Sequence, residues 1–150
     1  METTVNNLTK KIVGTWKLVS WYYQDEDGNR VDYFGRNPQG ILIYDNAGYM
    51  SVHIMKNSRT KFKTDGMYEG TPEEIESAFK SYFAYYGKYY QDDEGTMTHI
   101  VEGGLFPNWE GNVEKRYAKI EDNQLIIYTP PIPTENGDIV FYVVWERCKE

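Results

Sequence analysis

Gly14-Thr15-Trp16 opens the first strand-like run of the chain, and Trp145-Glu146-Arg147 closes the last. Residues 15–23 (Thr-Trp-Lys-Leu-Val-Ser-Trp-Tyr-Tyr) are rich in β-branched and aromatic side chains, as a strand requires. Closing an up-and-down barrel brings first and last strands together, and an arginine late in the last can then cover an indole early in the first. Such a contact is worth roughly 0.5–2 kcal/mol, depending on desolvation. Trp16 and Arg147 are therefore expected to have a structural, barrel-closing role.

Working outward, short strands recur at hairpin spacing. Asp25-Glu26-Asp27-Gly28-Asn29 and Asp45-Asn46-Ala47-Gly48 are turn sequences, and residues 40–44 (Gly-Ile-Leu-Ile-Tyr) form the strand between. Residues 49–56 alternate, with Met50, Val52 and Ile54 on one face and Tyr49, Ser51, His53 and Met55 on the other. Residues 57–70 read as a long polar loop or lid. Thr71-Pro72-Glu73-Glu74 is a helix start, with Thr71 as N-cap, Pro72 in the first turn and Glu74 completing a capping box. Ile75, Ala78, Phe79, Tyr82, Phe83 and Tyr86 continue at spacings of three and four, which predicts one amphipathic helix over about 72–85.

Strand character resumes at 88–92. Asp92-Asp93-Glu94-Gly95 is a solvated hairpin tip without Ca²⁺-loop spacing. Met97, His99 and Val101 then share one face, and Thr98, Ile100 and Glu102 the other; Gly103-Gly104 permits a bulge. Residues 113–120, 124–129 and 139–147 are further strands, with Pro130-Pro131-Ile132-Pro133 ending the second of them and Asn136-Gly137-Asp138 turning into the third. No βαβ alternation and no repeat is present. The expected class is all-β: an antiparallel barrel of eight or nine strands carrying one inserted helix, as a single domain over 1–150.

Several stretches together resemble the bacterial lipocalin-like domain family, a calycin-type small barrel. They are Gly14-Thr15-Trp16-Lys17-Leu18-Val19-Ser20, Gly48-Tyr49-Met50-Ser51, Thr71-Pro72-Glu73-Glu74 and Tyr85-Tyr86-Gly87-Lys88-Tyr89. Thr98-His99-Ile100-Val101-Glu102-Gly103, Leu105-Phe106-Pro107-Asn108-Trp109 and Trp145-Glu146-Arg147 complete the set, which spans nearly the whole chain. The resemblance implies a lipocalin-like up-and-down β-barrel with a central pocket. It implies little about chemistry, because such barrels mostly bind small apolar molecules and a minority isomerise or cyclise them. One departure is Ile100, where the family often carries a second polar residue.

Composition bounds the function. The chain has 150 residues, 40% hydrophobic and 16% aromatic, with 14 tyrosines that combine an apolar face with a polar tip. Its net charge of −7 argues against nucleic acid and anionic membrane surfaces as partners. One cysteine, Cys148, excludes an internal disulfide and a multi-cysteine metal site, and suits a reducing cytoplasm. Residues 1–13 lack a signal-peptide core, and no apolar run is long enough for a membrane span.

The two histidines, His53 and His99, lack paired metal-ligand spacing, so no metal and no cofactor is expected. His99 is the candidate proton carrier or polar anchor, while Glu102 lies on the opposite strand face. Trp109 and Asn108 are placed at a barrel mouth, and Arg116 alternates with Lys115 in a way that can aim it inward. No nucleophile motif or phosphate loop is present. The leading expectation is a barrel binding a small apolar or aromatic metabolite, with His53, His99, Asn108, Trp109 and Arg116 as ligand-binding residues. The alternative is a cofactor-free isomerase or cyclase using His99 or a tyrosine. A third is an interaction barrel whose interior is filled by side chains. Ligand identity and oligomeric state stay open.

Overall fold

The computed structural model describes residues 8–135 and 137–149, so Asn136 of the last expected turn lies outside them. In chain order the elements are α1 (Leu8–Ile12), β1 (Gly14–Gln24), β2 (Arg30–Asp32), β3 (Gln39–Tyr44), β4 (Tyr49–Met55) and α2 (Pro72–Lys80). They continue with β5 (Tyr82–Gln91), β6 (Met97–Gly104), a 3-10 turn (Pro107–Trp109), β7 (Val113–Glu121), β8 (Gln124–Tyr128), β9 (Ile132–Thr134), β10 (Gly137–Ile139) and β11 (Phe141–Arg147).

Eight antiparallel strands run β1-β3-β4-β5-β6-β7-β8-β11, and β11 pairs back onto β1, so the sheet closes. Strand β2 adds to the free edge of β1 beyond β3, and β9 and β10 form a separate two-stranded ribbon. The all-β, lipocalin-like barrel expected from the sequence is therefore the fold.

The seam is built by the two terminal motifs. Trp16 lies directly opposite Arg147 in the β1–β11 ladder, with the guanidinium carbon 4.1 Å from the indole centroid. Arg147 donates to the carbonyls of Val13 and Lys11, and the Trp16 indole N–H donates to the carbonyl of Ile12. Together these bonds hold α1 across one end of the barrel, with its own Ile12 and the neighbouring Trp16 fully buried. Gly14 has a φ of 137°, and a Cβ there would meet an Arg147 guanidinium nitrogen at 2.8 Å, so the closure needs glycine at that position.

Three hairpins share one turn device. Asp25, Asp45 and Asp92 each accept the backbone N–H groups two and four residues on, with a glycine three residues on. The acidic tip at residues 92–94 is thus a turn whose first carboxylate caps its own backbone.

Two bulges reset which side chains face inward. Register shifts between Leu18 and Ser20, so Trp16 and Trp21 both point into the barrel despite their odd separation. The second bulge leaves Glu102 as the extra residue where Tyr86 pairs Gly103 and Gly87 pairs Val101. Glu102 is exposed there, and a Cβ on Gly87 would lie 1.9 Å from the Ile100 carbonyl oxygen.

The helix expected over 72–85 stops at Lys80. Its capping box forms as read: Thr71 accepts from the Glu74 N–H, and Glu74 accepts from the Thr71 N–H. Tyr82, Phe83 and Tyr86 belong instead to β5, which fills the gap between β4 and β6. Aromatic residues suit both periods, and sheet closure decided between them. The helix itself buries none of its residues.

Candidate functional site

Inward-facing side chains fill the end of the barrel near α1 but not the other. A cavity of about 300 Å³ opens there, floored by Trp145 and Leu42 and walled by Val52, Ile54, Val101, Ile127 and Val143. Its rim is aromatic. Trp21 packs against Tyr33 (4.7 Å between ring centroids) and Phe83 (4.9 Å), and Phe83 against Trp109 (5.1 Å). Ile132, from the β9–β10 ribbon, and Phe141 complete the lining on the far side.

One polar band interrupts this apolar wall. β7 alternates strictly in burial, turning Glu114, Arg116, Ala118 and Ile120 inward. Glu114 lies opposite His99 on β6, and Arg116 opposite Met97. A guanidinium nitrogen of Arg116 stands 3.7 Å from a Glu114 carboxylate oxygen, and the same nitrogen donates to the Lys115 carbonyl at 2.8 Å.

His99 is 2% exposed. Its Nε2 is 2.7 Å from the Tyr44 hydroxyl and its Nδ1 2.7 Å from the Tyr85 hydroxyl. Burial, reinforced by the Arg116 charge, pushes its pKa down to about 3, so the ring is neutral at physiological pH. A neutral imidazole offers one donor and one acceptor, and the two hydroxyls take up both. Burial also raises the Tyr44 and Tyr85 pKa values, keeping both phenols protonated. At Tyr85 the Arg116 charge opposes this rise and the Glu114 charge adds to it. The result is a hydrogen-bonded chain, Tyr44–His99–Tyr85, with the Arg116–Glu114 ion pair beside it at the cavity wall.

Of the residues singled out from the sequence, His99, Trp109 and Arg116 line this cavity. His53 does not: it is exposed on the outer face of β4, with Nδ1 2.9 Å from the Tyr82 hydroxyl. Val52 and Ile54 take the inward positions, as strand alternation demands. Asn108 is exposed in the 3-10 turn, and Trp109 is the residue of that turn that reaches the cavity. Trp16 and Arg147 sit at the closed end.

Glu114, Tyr85 and Trp21 line the site without having been singled out. Glu114 was readable, because it shares a two-residue period with Ala118 and Ile120. Tyr85 was hidden by the overlong helix, and Trp21 by the β1 bulge. Among the described residues no three His, Cys, Asp or Glu side chains converge as metal ligands, and no helix is long and apolar enough to cross a membrane.

Comparison with known proteins agrees with this geometry. A family model described as a lipocalin-like domain matches residues 13–148. An Aspergillus oryzae protein named 4'-hydroxy-3'-methoxypropiophenone carrier protein is 28% identical over 106 residues, which is 65% of this chain and 96% of that protein.

Proposed function

This chain belongs to the lipocalin-like domain family, and from that premise we propose that it binds and carries a small, largely apolar aromatic molecule in the barrel cavity. The observation that carries the reading is the cavity itself: about 300 Å³, aromatic at its rim, aliphatic in its walls and polar along one band. That volume is at the lower end of the roughly 300–1,000 Å³ of small-molecule sites, which suits one substituted ring rather than a long chain. Trp21, Phe83 and Trp109 supply aromatic contact, and Arg116 and Glu114 the polar anchors. The carrier named above takes a phenolic aryl ketone by its name, which makes that class the first to test. His53 and Asn108 have no part in this reading, since both stand outside the cavity.

A filled, purely structural barrel is disfavoured by the void, and proton transfer by His99 is disfavoured by its neutral, doubly bonded ring. The net charge of −7 and the single cysteine fit a cytoplasmic protein that meets neither nucleic acid nor anionic lipid.

Trp21, Trp109 and Trp145 line the cavity and report on it. Titration with hydroxyaryl ketones should change tryptophan emission saturably, at one ligand per chain, and native mass spectrometry should show the adduct. Emission that drifts without saturating, together with a bare native mass across the ligand series, would sink the proposal.

A further inference from the structure

Building on the binding reading above, we propose that Glu114 makes the cavity selective for neutral ligands that both accept and donate hydrogen bonds, and closes it to carboxylates. An inward arginine alone would favour an anion, because its planar fork matches a carboxylate. Here the guanidinium of Arg116 already has a counter-charge 3.7 Å away, on Glu114. Both side chains are mostly buried, 19% and 28% exposed respectively, so water screens the pair weakly.

The arrangement follows from strand alternation, which turns both residues to the same face two positions apart. Nothing else in the band adds positive charge. His99 is neutral and enclosed between Tyr44 and Tyr85. The polar band therefore has a formal charge of zero, with a strong donor on Arg116 beside a strong acceptor on Glu114. A ligand carbonyl accepts from the first, and a ligand hydroxyl or amide N–H donates to the second. A carboxylate would lie against the mostly buried Glu114 carboxylate, a like-charge contact that costs more there than in water.

The test uses the full chain and three para-substituted phenols of nearly equal shape: para-hydroxyacetophenone, para-hydroxybenzamide and para-hydroxybenzoate. Calorimetric titration at neutral pH should give the ketone and the amide about tenfold or more tighter binding than the benzoate. In Glu114→Gln the ketone-to-benzoate ratio should fall by about tenfold or more, because Arg116 is then uncompensated. Thermal melts establish that the variant is folded, and the wild-type ratio stands as a test without it. Benzoate binding the wild type as well as the ketone, or an unchanged ratio in Glu114→Gln, overturns the selectivity while leaving the carrier reading in place. Failure of all three probes to bind overturns both.

Discussion

His99 shows how this barrel treats an ionisable ring. Its pKa of about 3 in the folded chain lies below the ordinary histidine value of 6.5. Above pH 6.5 the ring is neutral in both folded and unfolded chains and adds no pH dependence. Below it the unfolded chain takes up a proton that the folded chain refuses, so stability falls as pH falls toward 3. The slope is about 1.4 kcal/mol per pH unit. In urea melts across this range, the stability of wild type minus that of His99→Gln should therefore rise with pH up to about 6.5 and level off above it. A flat difference would mean that the folded chain takes up the proton at the same pH as the unfolded chain. Position 99 also shows what a strand pattern reveals: its inward face was readable from Met97 and Val101, but the two tyrosines that hold it were not. Tyr44 is 55 residues away in sequence, and no local period reports such a distance.

Among the elements, the β1–β11 seam and α2 stand at opposite ends of a scale of commitment. Arg147→Met removes the ring contact with Trp16 and two charge-assisted bonds to carbonyls at the C-terminal end of α1, those of Lys11 and Val13. The expected loss is roughly 2–4 kcal/mol, read by denaturant unfolding, with Arg147→Lys intermediate because it keeps charge without the fork. Gly87→Ala drives a methyl into the Ile100 carbonyl at the β5–β6 bulge and should cost about 3 kcal/mol. By contrast, α2 buries none of its residues. Thr71→Ala should remove about 1 kcal/mol of local helix stability. Amide exchange would then quicken across residues 72–80 while the barrel strands keep their protection; loss of barrel protection would show that α2 is part of the global unit. The start of α2 was legible because capping is local chemistry, whereas its end was not. Tyr82 and Phe83 fit a helical stripe as well as a strand, and only the need for a strand between β4 and β6 separates the two.

For the whole molecule, the void couples ligand binding to stability. A ligand at about 100 times its Kd should add about 2.7 kcal/mol, or roughly 5–10 °C in Tm for a chain of this size. Val143→Trp fills the cavity from its wall and should abolish that shift while the variant still melts cooperatively; a retained shift would place the ligand elsewhere. What the sequence determined by itself were features carried by neighbours along the chain. These were the turn aspartates with their glycines, the capping box, strand alternation, and the terminal motifs Gly14-Thr15-Trp16 and Trp145-Glu146-Arg147 that announce a closed barrel. What the tertiary structure decided were features set by register and closure. Bulges at Val19 and Glu102 change which residues face inward, and β5 takes residues that a helix would also accept. Closure then brings Tyr44, Tyr85, His99, Glu114 and Arg116 from four strands into one polar band beside an empty space. Periodicity assigns each side chain to a face of its own strand, but only the completed ring of strands sets which faces meet and how much room is left between them.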